Sequence, residues 1–500
     1  MEMEFENKGV SSYTESSHQI RRFQESMESV VPDINDDIGK IITVHSELFL
    51  KSKDLTGRGV FLTGEIKSTL LYITETGDRV AAVHLGKDFH IDYEVSDSEN
   101  EQTAQIRLCV ANTEARVLNP RKVSVTVELM GEITCFEPSQ SDLSIRPPEN
   151  SDGSLFLLEK EDCRMISNTV SEKSFSLNDQ FVFPETQEQP KELLWESHDF
   201  SVSSCQSIGS RMIVKGEMTL EAWYLAENNP SPQKAEFHMP FSQILESGAE
   251  TVESCTVQMI PSTSFFHLID TIGGAKALDT EIHGVLQLVG RSREIFRYIE
   301  DAYHAKMPTS CRFEEVKLPL VTEMTTLPLN TRTEIPAAED CSEILTVFAG
   351  INIPACSDGK LKTAVNLDIL YRTPTGEYNA MRRQISLEGD VPAGELRTLK
   401  TSVKEVNLIR SGDAIQCELT AAVCIQCRTE HSVRAVTSIA LAEEEAFDFT
   451  AIPSLYLVRT GSESLWELAK TYHSSVEAIK SLNPEDQDRS GQMLLIPRVI

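Results

Sequence analysis

Val60-Phe61-Leu62-Thr63-Gly64-Glu65-Ile66-Lys67-Ser68-Thr69-Leu70-Leu71-Tyr72 sets Val60, Leu62, Gly64, Ile66, Ser68, Leu70 and Tyr72 on alternate positions. Successive strand side chains point to opposite faces, so this alternation is the mark of a strand with one face buried. The pattern returns as Met212, Val214, Gly216, Met218, Leu220, Ala222 and Tyr224. The Gly-Glu pairs, Gly64-Glu65 and Gly216-Glu217, and the closing tyrosines keep one offset. So do Val31-Pro32 with Ile41-Ile42 upstream, matched by Phe183-Pro184 with Leu193-Leu194. A third copy reads Leu361, Thr363, Val365, Leu367, Ile369 and Tyr371, without the Gly-Glu; Ile335-Pro336 and Ile344-Leu345 are taken to open it, with Pro319 and Pro328 as competitors. A chain that repeats itself at long period is built from repeated structural units.

Each copy reads as β-rich. Tyr72-Ile73-Thr74-Glu75-Thr76-Gly77 and Tyr371-Arg372-Thr373-Pro374-Thr375-Gly376 end their strands in similar Gly-containing turns, a hairpin signature. Later strands alternate too: Val123, Val125, Val127, Leu129 in copy one, Ile282 to Leu288 in copy two, and Ile415, Cys417, Leu419, Ala421, Val423, Ile425 in copy three. One buried face per strand predicts a sandwich or an open curved sheet for each copy. Residues 17–30 are expected to be helical, and Leu396–Val406 fits either a helix or a strand.

The chain's end changes character. Tyr456 and Val458 alternate, Gly461 turns, and two short helices are predicted, each behind a serine cap: Ser464 before Leu465-Trp466-Glu467, and Ser474 before Ser475-Val476-Glu477. Leu465, Leu468, Ala469 and Tyr472 share one helical face; Val476, Ile479 and Leu482 share another. Asn483-Pro484 stops the second helix, and Gly491 turns into a last strand, Leu494-Leu495-Ile496-Pro497. The order is strand, helix, helix, strand.

Composition narrows the function. The chain has 500 residues, 40% of them hydrophobic, and a formal charge of −31 from 77 acidic and 46 basic residues. Such an excess of negative charge is repelled by nucleic acid and by anionic membrane surfaces, so neither is an expected partner. No apolar run approaches the length that spans a bilayer, and Met1-Glu2-Met3-Glu4-Phe5-Glu6 is too acidic for a secretion signal. The chain is therefore expected to stay in the compartment of its synthesis. Eleven irregularly spaced cysteines are expected to act as small buried hydrophobes in a reducing cytosol. Cys424-Ile425-Gln426-Cys427 sits in a strand pattern, where residues three apart face opposite ways and make a poor metal pair. His45 and His198 occupy related places in copies one and two and are read as strand packing. No nucleophile elbow, HExxH or phosphate-binding loop is present, so no catalytic residue, metal or cofactor is assigned.

The end module resembles the LysM domain in Tyr456, Val458, Gly461, Leu465, Trp466, Ala469, Tyr472, Val476, Ile479, Asn483, Gly491, Leu494, Ile496 and Pro497. The family's turn is Gly-Asp-Ser/Thr-Leu; here Gly461-Ser462-Glu463-Ser464-Leu465 is one residue longer. In that family the turn and the loop after the second helix hold N-acetylglucosamine polymers. Ahead of it, Val31-Pro32-Asp33, Gly64-Glu65-Ile66, Asn119-Pro120-Arg121-Lys122 and Asp301-Ala302-Tyr303 resemble the SPOCS domain of spore coat assembly proteins. Repeats of that kind before a LysM domain are the layout of SipL-like spore coat morphogenesis proteins.

The resemblance implies a mainly β fold: tandem β-sandwich-like repeats followed by a small α+β (βααβ) LysM domain. The expected organisation is an amino-terminal segment 1–29, repeats at 30–147, 173–325 and 326–445, an acidic linker 148–172, and the module at 453–500. It further implies a non-enzymatic adaptor in the mother-cell cytoplasm at the forespore surface. Its LysM groove, carried by Gly461, Ser464, Leu465, Trp466, Leu482 and Asn483, would bind the coat basement-layer ATPase beside other coat proteins. The alternative ligand is peptidoglycan.

Overall fold

Strand alternation dominates the computed structural model, which describes residues 2–499 except 5, 34, 58, 96–101, 147–152, 185, 230, 248–250, 393, 443–444 and 484–490. The protein is mainly β, with all its sheets antiparallel. After β1 (Glu2–Glu4), copy one comprises β2 (Glu6–Val30), β3 (Ile38–Thr56), β4 (Gly59–Thr74), β5 (Val80–Glu94), β6 (Thr103–Asn119) and β7 (Lys122–Arg146). The meander β3-β4-β5 makes one sheet; the hairpin β6-β7 takes β2 as its third strand and makes the other. Copy two repeats this with β8 (Leu155–Val182), β9 (Pro190–Ile208), β10 (Arg211–Ala226), β11 (Gln233–Glu246), β12 (Ser254–Asp270) and β13 (Lys276–His304). Its sheets are β9-β10-β11 and β8-β13-β12.

Copy three has β14 (Thr309–Pro336), β15 (Glu343–Ile351), β16 (Ala355–Ser357), β17 (Lys360–Arg372), β18 (Tyr378–Asp390), β19 (Glu395–Ser411) and β20 (Ala414–Leu441). Here β15 and β16 both pair with β17, so they share the place of the single strand β3. In each copy the alternating apolar residues of both sheets meet in one core: Leu62, Ile66, Val125 and Val127 in the first, Val214, Leu220, Ile282 and Leu286 in the second, Val365, Leu367, Cys417 and Leu419 in the third.

The first strand of every unit pairs with its last, which moves the expected boundaries. Residues 17–30 are strand, not helix, because β2 pairs along β7 from Glu6 to Val30 and tertiary pairing overrides local helical spacing. The segment expected to precede the repeats is thus strand β2. The described part of the expected linker 148–172 is strand from Leu155 onward, paired with β13. The boundary expected at 325/326 falls inside β14, and Leu396–Val406 is strand within β19. In copy three the turn after the first strand comes two residues later than the expected Ile335-Pro336. Pro32, Pro184 and Ala338 each begin the same turn, accepting from Asn35, Gln187 and Cys341.

Gly64 and Gly216 are glycine for one steric reason. A Cβ on Gly64 would lie 2.4 Å from the Phe49 carbonyl oxygen and 2.4 Å from the Phe89 ring; on Gly216, 2.2 Å from the Ser201 oxygen and 2.5 Å from Phe241. Copy three has Thr363 there, whose hydroxyl donates to the Asn352 carbonyl at 2.7 Å in the gap between β15 and β16.

The three units share a further core. Leu71, Trp223 and Leu370 occupy the same position, one before the closing tyrosine, and all three lie in a single cluster with Ile42, Leu194 and Phe348. Trp223 stacks on Trp195 at 6.0 Å and tilts against Phe348 at 4.6 Å. Polar contacts join every pair of units: Thr43 donates to Asp368 at 2.8 Å, Arg79 to Glu192 at 3.0 Å, and Lys400 to Asp199 at 2.7 Å. Where the long sheets meet, Glu15 of β2 accepts from Arg428 of β20 at 2.8 Å and Arg397 of β19 at 3.0 Å, with Arg291 of β13 buried nearby. The amino terminus also closes on copy three, β1 pairing with β20 from Glu2 opposite Ala440.

Cys205 of β9 and Cys255 of β12 form a disulfide between the two sheets of copy two, which corrects for this pair the expectation that the cysteines act as small buried hydrophobes in a reducing cytosol. Of the free ones, Cys163 and Cys356 are exposed. Among the described residues no helix is long and apolar enough to cross a membrane.

Candidate functional site

The carboxy-terminal module consists of β21 (Leu455–Arg459), α1 (Leu465–Thr471), α2 (Val476–Leu482) and β22 (Met493–Pro497), with β21 antiparallel to β22. Seven-residue helices are marginal by themselves, so caps and packing must hold them. At α1, Ser464 Oγ accepts from Glu467 N at 3.2 Å, and the Glu467 carboxylate accepts from Ser464 N at 2.7 Å. Such a cap is worth about 1 kcal/mol. The second cap is Ser475, not Ser474: its Oγ accepts from Ala478 N at 3.0 Å. Ser474 is fully buried, and its hydroxyl donates to the Pro497 carbonyl.

Each residue of the expected groove has a definite place. Gly461 N–H donates to the carboxylate of Glu463 at 2.8 Å, so the longer turn folds its acidic side chain back onto its own backbone. Leu465 packs half-buried on the module core of Leu468, Ala469, Ile479, Leu494 and Ile496, whereas Leu482 is 46% exposed. Asn483 Nδ2 donates to Ile479 O and Leu495 O, both at 2.7 Å, and its Oδ1 accepts from Leu495 N at 3.0 Å. The amide thereby ties the end of α2 to the edge of β22. Pro484 and the loop after it, which would form the groove's other wall, lie outside the described residues.

Trp466 is engaged within the chain. Its indole Nε1 donates to Asp301 Oδ2 at 2.8 Å, and Lys470 Nζ reaches both Asp301 oxygens at 2.7 and 2.8 Å. Tyr303, two residues on along β13, packs edge-on against Trp466 at 4.9 Å and donates its hydroxyl to Ser474 O at 2.7 Å. Burial works to raise the Asp301 pKa, but the Lys470 and Trp466 hydrogen bonds outweigh it and hold the carboxyl below the usual range. Asp301-Ala302-Tyr303, singled out in sequence only as a motif of resemblance, is thus the seat of the module.

A second polar cluster lies where the three units meet. His45 and Trp195 approach to 4.6 Å between ring centres, and Glu47 lies 3.6 Å from His45 Nε2 and 3.8 Å from His198 Nδ1. The two histidines noted in sequence therefore converge on a carboxylate that sequence reasoning missed. A cavity of about 940 Å³ opens beside them, lined from all three units by residues including His198, Trp223, Phe348 and Val403. Several polar groups at its wall are already paired, Lys234 with Glu221 at 2.5 Å and Lys400 with Asp199 at 2.7 Å. That makes it a seam between units whose polar wall is partly satisfied by its own ion pairs. Among the described residues no group of three or more His, Cys, Asp or Glu side chains is set to hold a metal ion.

Glu196 beside this seam has its carboxyl pushed up to about 7, by burial first and by the Glu47 charge second, with Lys67 and His45 pulling the other way. Burial likewise opposes ionisation of Glu47, but His198 and His45 hold it below the usual range. A folded pKa raised above the ordinary 4.5 gives stability that is fully present below about 4.5 and lost as pH rises through about 7. Urea midpoints measured from pH 4.5 to 8 should decline less steeply in Glu196→Gln than in the wild type. Parallel curves would refute that origin.

Comparison with protein-family models, with curated proteins and with solved structures finds no match for this chain.

Proposed function

We propose that this protein is a non-enzymatic structural adaptor of endospore coat assembly, acting in the mother-cell cytoplasm at the forespore surface. It would tether coat proteins there by binding the coat basement-layer ATPase through its LysM-like module. The observation that carries this reading is the architecture: three alike two-sheet units fused through one core, ending in a βααβ module. Repeated units offer several docking faces on one chain, and simultaneous engagement multiplies weak contacts. The Glu463 carboxylate on Gly461 N–H favours a protein over a sugar polymer, since it occupies a backbone donor at the turn.

The test is a paired pull-down of the full chain, on purified basement-layer ATPase and on purified peptidoglycan, with imaging of a fluorescent fusion during sporulation. Retention by the ATPase and a ring around the forespore are expected. Retention by peptidoglycan alone would replace this reading with a wall-binding one.

A further inference from the structure

The contact that seats the module is carried by two separate parts of the chain. The seat is the end of β13, with Asp301 and Tyr303; the plug is the face of α1, with Trp466 and Lys470. Phe156 and Tyr303 are the two members of the module's apolar cluster that come from outside the module. Tyr303 is 3% exposed although it stands at the end of its strand, and the rings beside it are Phe156 and Trp466. Lifting the plug would strip that ring, together with the Asp301 carboxylate, of its main cover. An empty seat therefore favours being refilled by the same surface.

Seat and plug are joined through 442–454, which can extend over roughly 40 Å. Its described residues touch both sides: Ala442 N and Phe447 N donate to Pro308 O and Lys306 O of the body at 3.1 and 3.0 Å, while Arg498 of the module donates to Phe449 O and Ile452 O, both at 2.7 Å, and His473 lies 4.2 Å from the Phe447 ring. Nothing in the chemistry of the contact distinguishes the plug of one copy from that of another.

We propose that the plug is exchangeable, so that the module of one copy seats on the Asp301–Tyr303 strand of a second copy and links the two. In dilute solution the tether favours the internal contact; at high local concentration, as in a protein layer, the exchanged contact competes. Reciprocal exchange closes a dimer and serial exchange extends a chain. This does not depend on which partner or ligand the module binds.

Charge reversal in the full chain tests it. Asp301→Lys places two cations together, and Lys470→Asp places two carboxylates together, so each variant alone should release its module and be cut faster by thermolysin between body and module. Mixed, the lysine seat of one matches the aspartate plug of the other. The expected result is a 1:1 dimer at twice the monomer mass of 55.8 kDa in light scattering, with cleavage slowed again. The doubly substituted Asp301→Lys/Lys470→Asp chain should regain its slow cleavage as a monomer. A mixture that stays monomeric while that chain regains protection overturns the proposal. Failure of that chain to regain protection overturns it as well, because the Asp301–Lys470 contact would then not be the latch.

Discussion

Replacing Glu15 with alanine is expected to lower stability by about 3–5 kcal/mol, the cost of removing one partner from a buried ion pair and stranding the other. Glu15 accepts from Arg428 and Arg397, whose side chains are 6% and 7% exposed. Among the described residues, the other carboxylate paired with both is Glu395, 3.8 Å away and largely exposed. Arg291 adds a third guanidinium, its pKa lowered to about 10 by burial, with Glu15 pulling it back up. The three arginines belong to copies two and three and the carboxylate to copy one, so the loss should loosen the whole body at once. Glu15→Gln keeps an acceptor oxygen without the charge and should fall between the two. Urea unfolding followed by tryptophan fluorescence reads both variants. An alanine variant within about 0.5 kcal/mol of wild type, the ordinary scatter of surface changes, would mean that the arginines are satisfied elsewhere.

The strands of this body were legible because alternation is a property of the chain itself. Val60 to Tyr72 and Met212 to Tyr224 show it, and their inward residues are buried. What the alternation hid is that β4, β10 and β17 bury both faces near their ends. Leu70-Leu71-Tyr72-Ile73 and Trp223-Tyr224-Leu225-Ala226 are continuous apolar runs, which is how a doubly covered strand reads. That signal was present and announced the shared core. The first strands were harder. In β8, Glu159, Lys160 and Glu161 are exposed, and the strand that pairs with each first strand is the last strand of its unit, far away in the sequence. Composition there describes exposure rather than pairing.

The module was legible in its order and its first cap, but its seat was not. Asp301 and Trp466 are brought together by tertiary docking, which no local spacing encodes. The Asp-Ala-Tyr motif marked the position without revealing the contact.

Trp223→Ala should separate the three units, at a cost of about 3–5 kcal/mol for emptying a large aromatic site in a packed core. Its ring is 6% exposed, and its neighbours Trp195 and Phe348 come from copies two and three. Leu71 and Leu370 converge from the equivalent positions of the other units, so the void opens where all three meet. The indole Nε1 is buried without a hydrogen-bond partner, so Trp223 contributes shape and apolar area while its N–H is a burden. Trp223→Phe removes that burden and keeps an aromatic ring; it should stay within about 1.5 kcal/mol of wild type, as near-conserving core exchanges do. Thermal unfolding should therefore show a large drop for alanine and a small change for phenylalanine. Limited proteolysis of the alanine variant should give early cuts between the units, near residues 147–152 and 305–308. If alanine and phenylalanine prove alike, or if the alanine variant melts with the wild type, the three units stand independently and Leu71, Trp223 and Leu370 share only a position.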